Sequence, residues 1–160
     1  MRFLLAGILL VMMTVAADAK LYGNARFGYF IDVPEVVSAS KTQPENGDGA
    51  TFKSSDGAVT LATYGAWLND QNYAQAFKQL IKYAEQEGWN VSYQRLSPKG
   101  FGVYSGSKAG RIFYGRAIAS CGGQAIVTYQ IEYPTAQRVT YDAMLKKLNA
   151  SLKAGRGSCG

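Results

Sequence analysis

The sequence predicts an α+β fold in which two main helices pack on an antiparallel β-sheet. Short segments of alternating apolar and polar residues recur along the chain, with turn-forming residues between them. Two longer segments instead carry apolar residues at helical spacing. Short turns join most of the strands, which makes the sheet antiparallel, and the helices must cover at least part of it.

The first part of the chain predicts strands and loops. Asn24–Val33 alternates and ends at Pro34, so it is expected to be the first strand. Glu35–Gly49 is polar and rich in turn residues, which predicts a loop. Thr51–Lys53 and Val59–Tyr64 flank an Asp-Gly pair, which is typical of a β-hairpin.

The first helix follows this hairpin. Asp70 or Asn72 is a suitable N-cap residue, and Gly88 is expected to end the helix. The apolar residues of the segment fall on one helical stripe: Tyr73, Phe77, Leu80, Ile81 and Ala84.

Four more strands and a second helix are predicted after Gly88. Asn90–Leu96 and Phe101–Ser105 are two strand candidates with Pro98 and Gly100 between them. Arg111–Ala119 and Gln124–Tyr133 form the clearest hairpin. The last helix is expected around residues 136–153. Its inward residues are predicted to be Val139, Leu145, Leu148 and Leu152, with Gly155 as the stop.

A four-residue turn at 120–123 would place Arg111 opposite Glu132 in the last hairpin. Apolar residues then share one face, with Tyr129 among them, and Arg111, Phe113 and Glu132 share the other. Arg116 falls among the apolar set. The favoured interpretation is a bulge at Gly115, or a side chain that extends past the edge of the core. The alternative is an arginine in a pocket that binds an anion.

The N-terminal segment has the features of a cleavable secretory signal. Arg2 supplies the positive charge, Phe3–Val15 is apolar, and Ala17–Ala19 is a small-x-small cleavage site. We therefore expect residues 1–19 to be a signal peptide and residues 20–160 to be a single domain. The apolar run is too short to span a bilayer, so no stable membrane insertion is expected after cleavage. A periplasmic or secreted location follows.

Two cysteines remain after the predicted cleavage, Cys121 and Cys159. An even pair in an exported protein predicts one disulfide bond.

The basic residues are concentrated in the second half. Residues 20–90 hold six basic and eight acidic side chains, whereas residues 91–160 hold ten and two. This asymmetry favours an anionic partner, although a generally basic surface that promotes solubility explains it equally well. The candidate partner-binding cations are Arg95, Lys99, Lys108, Arg111, Arg116 and Arg138.

The residue inventory disfavours most enzymes. Histidine is absent, which removes His-dependent triads and the commonest zinc ligand, and no phosphate-binding or dinucleotide-binding motif is present. We expect no catalytic residues, no metal and no cofactor. Tyrosines interleave with the basic residues of the second half, but an exported protein rarely meets nucleic acid, so no nucleic-acid partner is expected.

Several motifs carry a family resemblance. They are residues 24–29 with 31–34, 46–49 with 52–57, and 105–106, 110–114 and 133–137. With these motifs the chain resembles small bacterial exported proteins of largely unknown function. Those proteins are similar to the PsbP-like fold, which Ran-binding import factors of the Mog type also use. The resemblance implies an antiparallel sheet with helices packed on it and a role in binding other proteins.

The leading hypothesis is an exported, non-enzymatic binding or accessory module. Its basic face would recognise a protein or a polyanionic component of the cell envelope. Two alternatives stay open at this stage: a carboxylate-pair hydrolase of the cell envelope, and a periplasmic inhibitor or immunity-type protein. A pocket holding two carboxylates within about 5–10 Å of each other would favour the hydrolase.

Overall fold

The computed structural model describes residues 19–155 and Cys159. The predicted signal segment, except for Ala19, lies outside the described residues. The strands are β1 (Lys20–Asn24), β2 (Tyr29–Val33), β3 (Ser40–Thr42), β4 (Gly49–Lys53), β5 (Thr60–Trp67), β6 (Asn90–Ser97), β7 (Phe101–Lys108), β8 (Arg111–Ser120), β9 (Ala125–Pro134) and β10 (Lys153–Ala154). The α-helices are α1 (Tyr73–Gln86) and α2 (Arg138–Ser151).

The strands form two antiparallel sheets. The larger sheet has seven strands in the order β3-β4-β5-β9-β8-β7-β6, and the smaller has three in the order β1-β2-β10. α1 packs on one face of the larger sheet, and α2 and the smaller sheet pack on the other. The predicted α+β class, an antiparallel sheet with two helices on it, is confirmed.

α1 forms where the sequence predicts it. Asn72 is the N-cap, and its side chain and that of Gln75 each accept a hydrogen bond from the other's backbone N–H at 2.9 Å. Gly88 follows the helix with a φ of 88°, a conformation that glycine adopts without strain. The buried stripe contains Phe77, which packs edge-on against the ring of Tyr104 on β7. α1 therefore seals one face of the larger sheet.

The N-terminal region differs from the prediction. The expected strand Asn24–Val33 is instead the turn and the second strand of the β1–β2 hairpin. The chain turns because the Asn24 side chain accepts the Phe27 N–H at 3.1 Å and Gly28 adopts a φ of 54°. The expected loop Glu35–Gly49 contains a short 3-10 helix, the strand β3, and at Gly49 the first residue of β4. β3 is wholly exposed, so it has no alternating pattern to reveal it.

The β8–β9 hairpin has the predicted faces but a different register. Ser120 pairs with Ala125 and Phe113 with Glu132, which moves the pairing by two residues from the prediction. Ser120 stays in the strand because its hydroxyl hydrogen-bonds the carbonyl oxygens of Phe27 and Gly28 at 2.8 and 2.9 Å. A shift of two residues keeps every side chain on its side of the sheet.

The two faces of this hairpin are both buried in part. Tyr129 is fully buried on the apolar face, as predicted. Phe113, which the sequence placed on the opposite face, is also fully buried, since α1 and Trp89 cover it. Arg111 and Glu132 still share a face and form a 3.9 Å ion pair, although they are not directly opposite.

The end of the chain also departs from the prediction. Val139 was expected to face inward but is 87% exposed, and Tyr141 is buried in its place. The backbone becomes extended at Leu152, so β10 follows α2 directly and pairs with β2. Gly155 is therefore not the helix stop. Its N–H donates to the carbonyl of Gly28 at 2.6 Å.

The predicted disulfide is confirmed. Cys121 and Cys159 are bonded, with their Cα atoms 5.4 Å apart and a separation of 38 residues along the sequence. The bond joins the β8–β9 turn to the C-terminal tail, and both meet the β1–β2 turn at Gly28. A Cβ atom on Gly28 would lie 2.7 Å from the Cys159 sulfur, so only glycine fits there.

Removal of this disulfide should lower the free energy of unfolding by about 4 kcal/mol, because the bond closes a long loop in the unfolded chain. Urea unfolding of the oxidised and the reduced protein measures the difference. The double variant Cys121→Ser, Cys159→Ser is the control and should match the reduced protein. Alkylation of two thiols in non-reduced, exported material would contradict the prediction.

Candidate functional site

One face of the larger sheet is covered over only part of its width. α2 packs on β2 and β9. Beyond α2, a row of directly paired residues leads outward from the core: Tyr129 on β9, Arg116 on β8, Val103 on β7 and Arg95 on β6. Tyr129 is fully buried, Arg116 is half-buried, Val103 is 9% exposed and Arg95 is exposed. We call this outer half of the sheet the open face; its residues are Tyr93, Arg95, Phe101, Val103, Tyr114 and Arg116.

Arg116 lies at the inner margin of the open face. Its guanidinium carbon is 4.5 Å from the centre of the Phe101 ring, a cation–π contact. Its Nε atom is buried and has no hydrogen-bond partner, and no carboxylate among the described residues lies within salt-bridge distance of it. Arg116 is therefore a positioned cation with an unused donor.

The expected bulge at Gly115 is wrong. β8 pairs without a register shift with both of its neighbours through this position. Gly115 is needed for a different reason: a Cβ atom there would lie 2.5 Å from the Tyr104 ring, on the face that α1 covers. Because β8 is regular, Arg116 points to the same side as Tyr114 and Tyr129.

Two tyrosines and an asparagine form the wall between α2 and the open face. Tyr129 donates its hydroxyl hydrogen to Asn149 Oδ1 at 2.7 Å, and Asn149 Nδ2 donates to the Tyr114 oxygen at 3.0 Å. Burial raises the pKa of both tyrosines, and the positive charge of Arg116 partly offsets the rise. Both phenols are therefore neutral donors and acceptors at neutral pH.

A cavity of about 380 Å³ continues the open face towards the start of α2. Ser105, Tyr114 and Leu145 line it, and so do Arg138 and Asp142. Arg138 and Asp142 form an ion pair at 3.4 Å, so this second arginine is already engaged.

The six candidate cations do not share one surface. Arg95 and Arg116 lie on the open face, Arg138 lines the adjoining cavity, and Lys99 is in the β6–β7 turn. Lys108 and Arg111 lie on the α1 face. Lys108 contacts Trp89 and the carbonyl oxygen of Glu87, and Arg111 pairs with Glu132.

The outer strands nevertheless carry charge of a single sign. Residues 88–131 contain β6, β7 and β8 and no aspartate or glutamate, but five lysines and arginines. Unbalanced positive charge on one edge of a domain attracts anionic groups.

The carboxylates do not form a comparable site. Glu132 and Asp142 are each paired with an arginine. Asp32 and Glu35 are both exposed and line a groove of about 450 Å³ between α2 and the end of β2. Within residues 19–155 and Cys159, no three Cys, Asp or Glu side chains cluster to hold a metal ion. None of the helices in that part of the chain is long and apolar enough to cross a membrane.

Among the tyrosines that interleave with basic residues in the second half of the chain, Tyr93 and Tyr114 share the open face with Arg95. Tyr104 belonged to the same group but is buried under α1. Phe101 and Asn149 were missed. The alternation of side chains along β7 would have placed Phe101 on the same face as Val103. The contact of Asn149 with β8, in contrast, depends on how α2 crosses the sheet, which the sequence does not reveal.

The α+β architecture is similar to the PsbP-like fold, which confirms the fold that the sequence resemblance implied. The cyanobacterial PsbP protein CyanoP from Synechocystis sp. PCC 6803 is similar, with a TM-score of 0.63 and 9% identity over 94% of this chain and 98% of that chain.

Two structures of Mog1 are also similar. The Ran-binding protein Mog1p of Saccharomyces cerevisiae has a TM-score of 0.58 and 8% identity, over 87% of this chain and 96% of that chain. A point mutant of Mog1 has a TM-score of 0.60 and 9% identity, over 85% and 95%. No protein-family model matches the sequence, and no curated protein matches it either. At such low identity the likeness establishes the fold alone.

The buried tyrosines predict a loss of stability at high pH. Burial raises the pKa of Tyr133 to about 12, with a further contribution from the negative charge of Asp142. Tyrosines in the unfolded chain release their protons near pH 10, whereas a buried tyrosine keeps its proton to higher pH. Above about pH 10 the free energy of unfolding therefore falls by about 1.4 kcal/mol per pH unit for each tyrosine that is still protonated in the folded state. Urea unfolding at a series of pH values measures this decline.

Tyr133→Phe is the matched variant, and its stability should fall less steeply with pH. An absorbance titration of the folded protein provides the direct check. Ionisation of all eleven tyrosines near the ordinary value would contradict the prediction.

Proposed function

We propose that this chain is an exported, non-enzymatic binding module whose open face recognises an acidic group on a partner protein. The observation that carries the proposal is Arg116: a half-buried guanidinium held against Phe101, with no carboxylate within salt-bridge distance among the described residues. A guanidinium without a carboxylate beside it is available for a charge-assisted hydrogen bond to an anionic ligand, which contributes about 1.5–3 kcal/mol.

A carboxylate suits this arginine better than any other common group. The two terminal nitrogens of a guanidinium each direct an N–H towards one of the two oxygens of a carboxylate. Phe101 fixes the plane of the guanidinium before the ligand arrives, which lowers the entropic cost of binding. Tyr114 borders the same face and offers apolar area to the body of the ligand.

Binding is a better account of this site than catalysis. The open face brings together arginines, aromatic rings and neutral phenols, and it includes no carboxylate or thiol to act as nucleophile or general base. Mog1p of Saccharomyces cerevisiae is a Ran-binding protein, so the fold is used elsewhere to bind a protein. We transfer to this chain the kind of partner, a protein, and not its identity.

Export is part of the proposal. Residues 1–19 would be removed as a signal peptide, and residues 20–160 would act in the periplasm or outside the cell. β1 begins at Lys20, so cleavage after Ala19 leaves all ten described strands intact. A Cys121–Cys159 disulfide is also typical of an oxidising compartment. Intact-mass analysis of the cellular protein tests the cleavage position, and a full-length mass would refute it.

Arg116→Gln should weaken the binding of a labelled hexaglutamate peptide by about tenfold or more, because a charge-assisted hydrogen bond contributes about 1.5–3 kcal/mol. Fluorescence anisotropy at low and at physiological salt measures it. Arg111→Gln is the matched control, since it removes the same charge from the α1 face, and it should leave the affinity within about twofold.

Inorganic polyphosphate provides the second arm of this experiment. Equal losses of peptide affinity in both variants would refute a specific site at Arg116 and leave only general electrostatic attraction. Binding of polyphosphate, but not of the peptide, through Arg116 would replace the protein partner with a polyanionic component of the envelope.

A further inference from the structure

β6 is the last strand of the larger sheet, so one of its edges has no neighbour among the described residues. It is eight residues long, whereas β3 at the opposite edge has three. An open strand edge presents a row of unpaired backbone donors and acceptors. Such an edge is able to accept an added strand from another chain.

The turn into β7 shows which backbone groups of β6 face outward. Gly100 donates its N–H to the carbonyl of Ser97, which closes the turn and sets the hydrogen-bonding alternation of the ladder. Alternate residues of an antiparallel strand direct their N–H and C=O groups to the same neighbour. Ser97 and Arg95 therefore bond to β7, and Gln94 and Leu96 direct their backbone groups away from the sheet.

The positive charge around this edge favours an acidic segment as the added strand. Arg95 is exposed on the open face of β6, and Lys99 is in the turn beside it. Neither has a carboxylate within salt-bridge distance among the described residues. A second copy of the chain is a poor occupant, because antiparallel pairing of β6 with itself brings two copies of Arg95 onto the same face.

We propose that the partner binds as an extended acidic segment that adds a strand to the free edge of β6. This rests on the proposed function, because the partner that supplies this segment would be the one whose acidic group Arg116 recognises. Its backbone pairs with Gln94 and Leu96. Every second side chain lies on the open face beside Arg95, where a carboxylate is favoured, and the others lie beside Leu96, where an apolar side chain is favoured.

The probe is a blocked peptide of four Glu-Val repeats, which places all its carboxylates on one face of a strand. A peptide of four Glu-Pro repeats has the same charge but is unable to pair as a strand, since proline lacks the N–H. We expect the Glu-Val peptide to bind at least about tenfold more tightly. We also expect it to slow amide hydrogen exchange at Gln94 and Leu96 by at least about tenfold.

Leu96→Pro removes one outward N–H without removing a bond to β7, and proline is tolerated on such an edge. Leu96→Ala removes the same apolar contact but keeps the N–H, so Leu96→Pro should bind the Glu-Val peptide at least about tenfold more weakly than Leu96→Ala does. Circular dichroism verifies that both variants fold, and the exchange measurement on the unsubstituted protein tests the pairing without any variant.

The outcomes separate this inference from the proposed function. If Arg116→Gln weakens both peptides but amide exchange at Gln94 and Leu96 is unchanged, strand addition is overturned and recognition of an acidic group stands. If neither peptide binds, both proposals are overturned. If the two amides become protected with protein concentration alone, the occupant is a second copy and the acidic segment is overturned.

Discussion

The larger sheet must bury apolar side chains on both of its faces, and different elements of the structure cover the two faces. α1 seals one face with a single amphipathic helix, under which Phe113 and Tyr104 pack. On the other face α2 and the small β1-β2-β10 sheet together cover the central strands around Tyr129 and Ile131. The covering layer ends near Tyr114 and Asn149. The open face is what this layer leaves exposed.

The position of Arg116 follows from that unequal covering and from the regularity of β8. Gly115 allows the Tyr104 ring to approach the strand closely on the α1 face, so β8 continues without a bulge. A regular strand alternates strictly, and Arg116 must then point to the side of Tyr129. On a fully covered sheet this would bury a charge at a cost of several kcal/mol. Here the covering layer ends at Tyr114 on the same strand, and the guanidinium rests on Phe101 instead.

The segment that follows α2 holds the covering layer in place. After α2, β10 pairs with β2, and Gly155 donates to the carbonyl of Gly28. The disulfide then joins the tail to the β8–β9 turn, and Ser120 hydrogen-bonds the same β1–β2 turn. These contacts connect the smaller sheet, the end of α2 and the central hairpin at one point. They fix the edge of the layer, and therefore the extent of the open face.

The sequence by itself determined the fold class, α1 with its cap, most of the strands, the faces of the β8–β9 hairpin and the disulfide. These features rest on local rules: side-chain periodicity, turn residues, capping and an even cysteine count. The tertiary structure decided the register of that hairpin, because the long-range bonds of Ser120 extend β8 by one residue. It also decided that Phe113 is core and that Val139 is exposed, since each depends on which layer lies above it. The grouping of Arg95, Phe101 and Arg116 is of the same kind. Their positions on three strands become neighbours only through pairing, whereas Lys108 and Arg111, equally basic in the sequence, alternate to the other face.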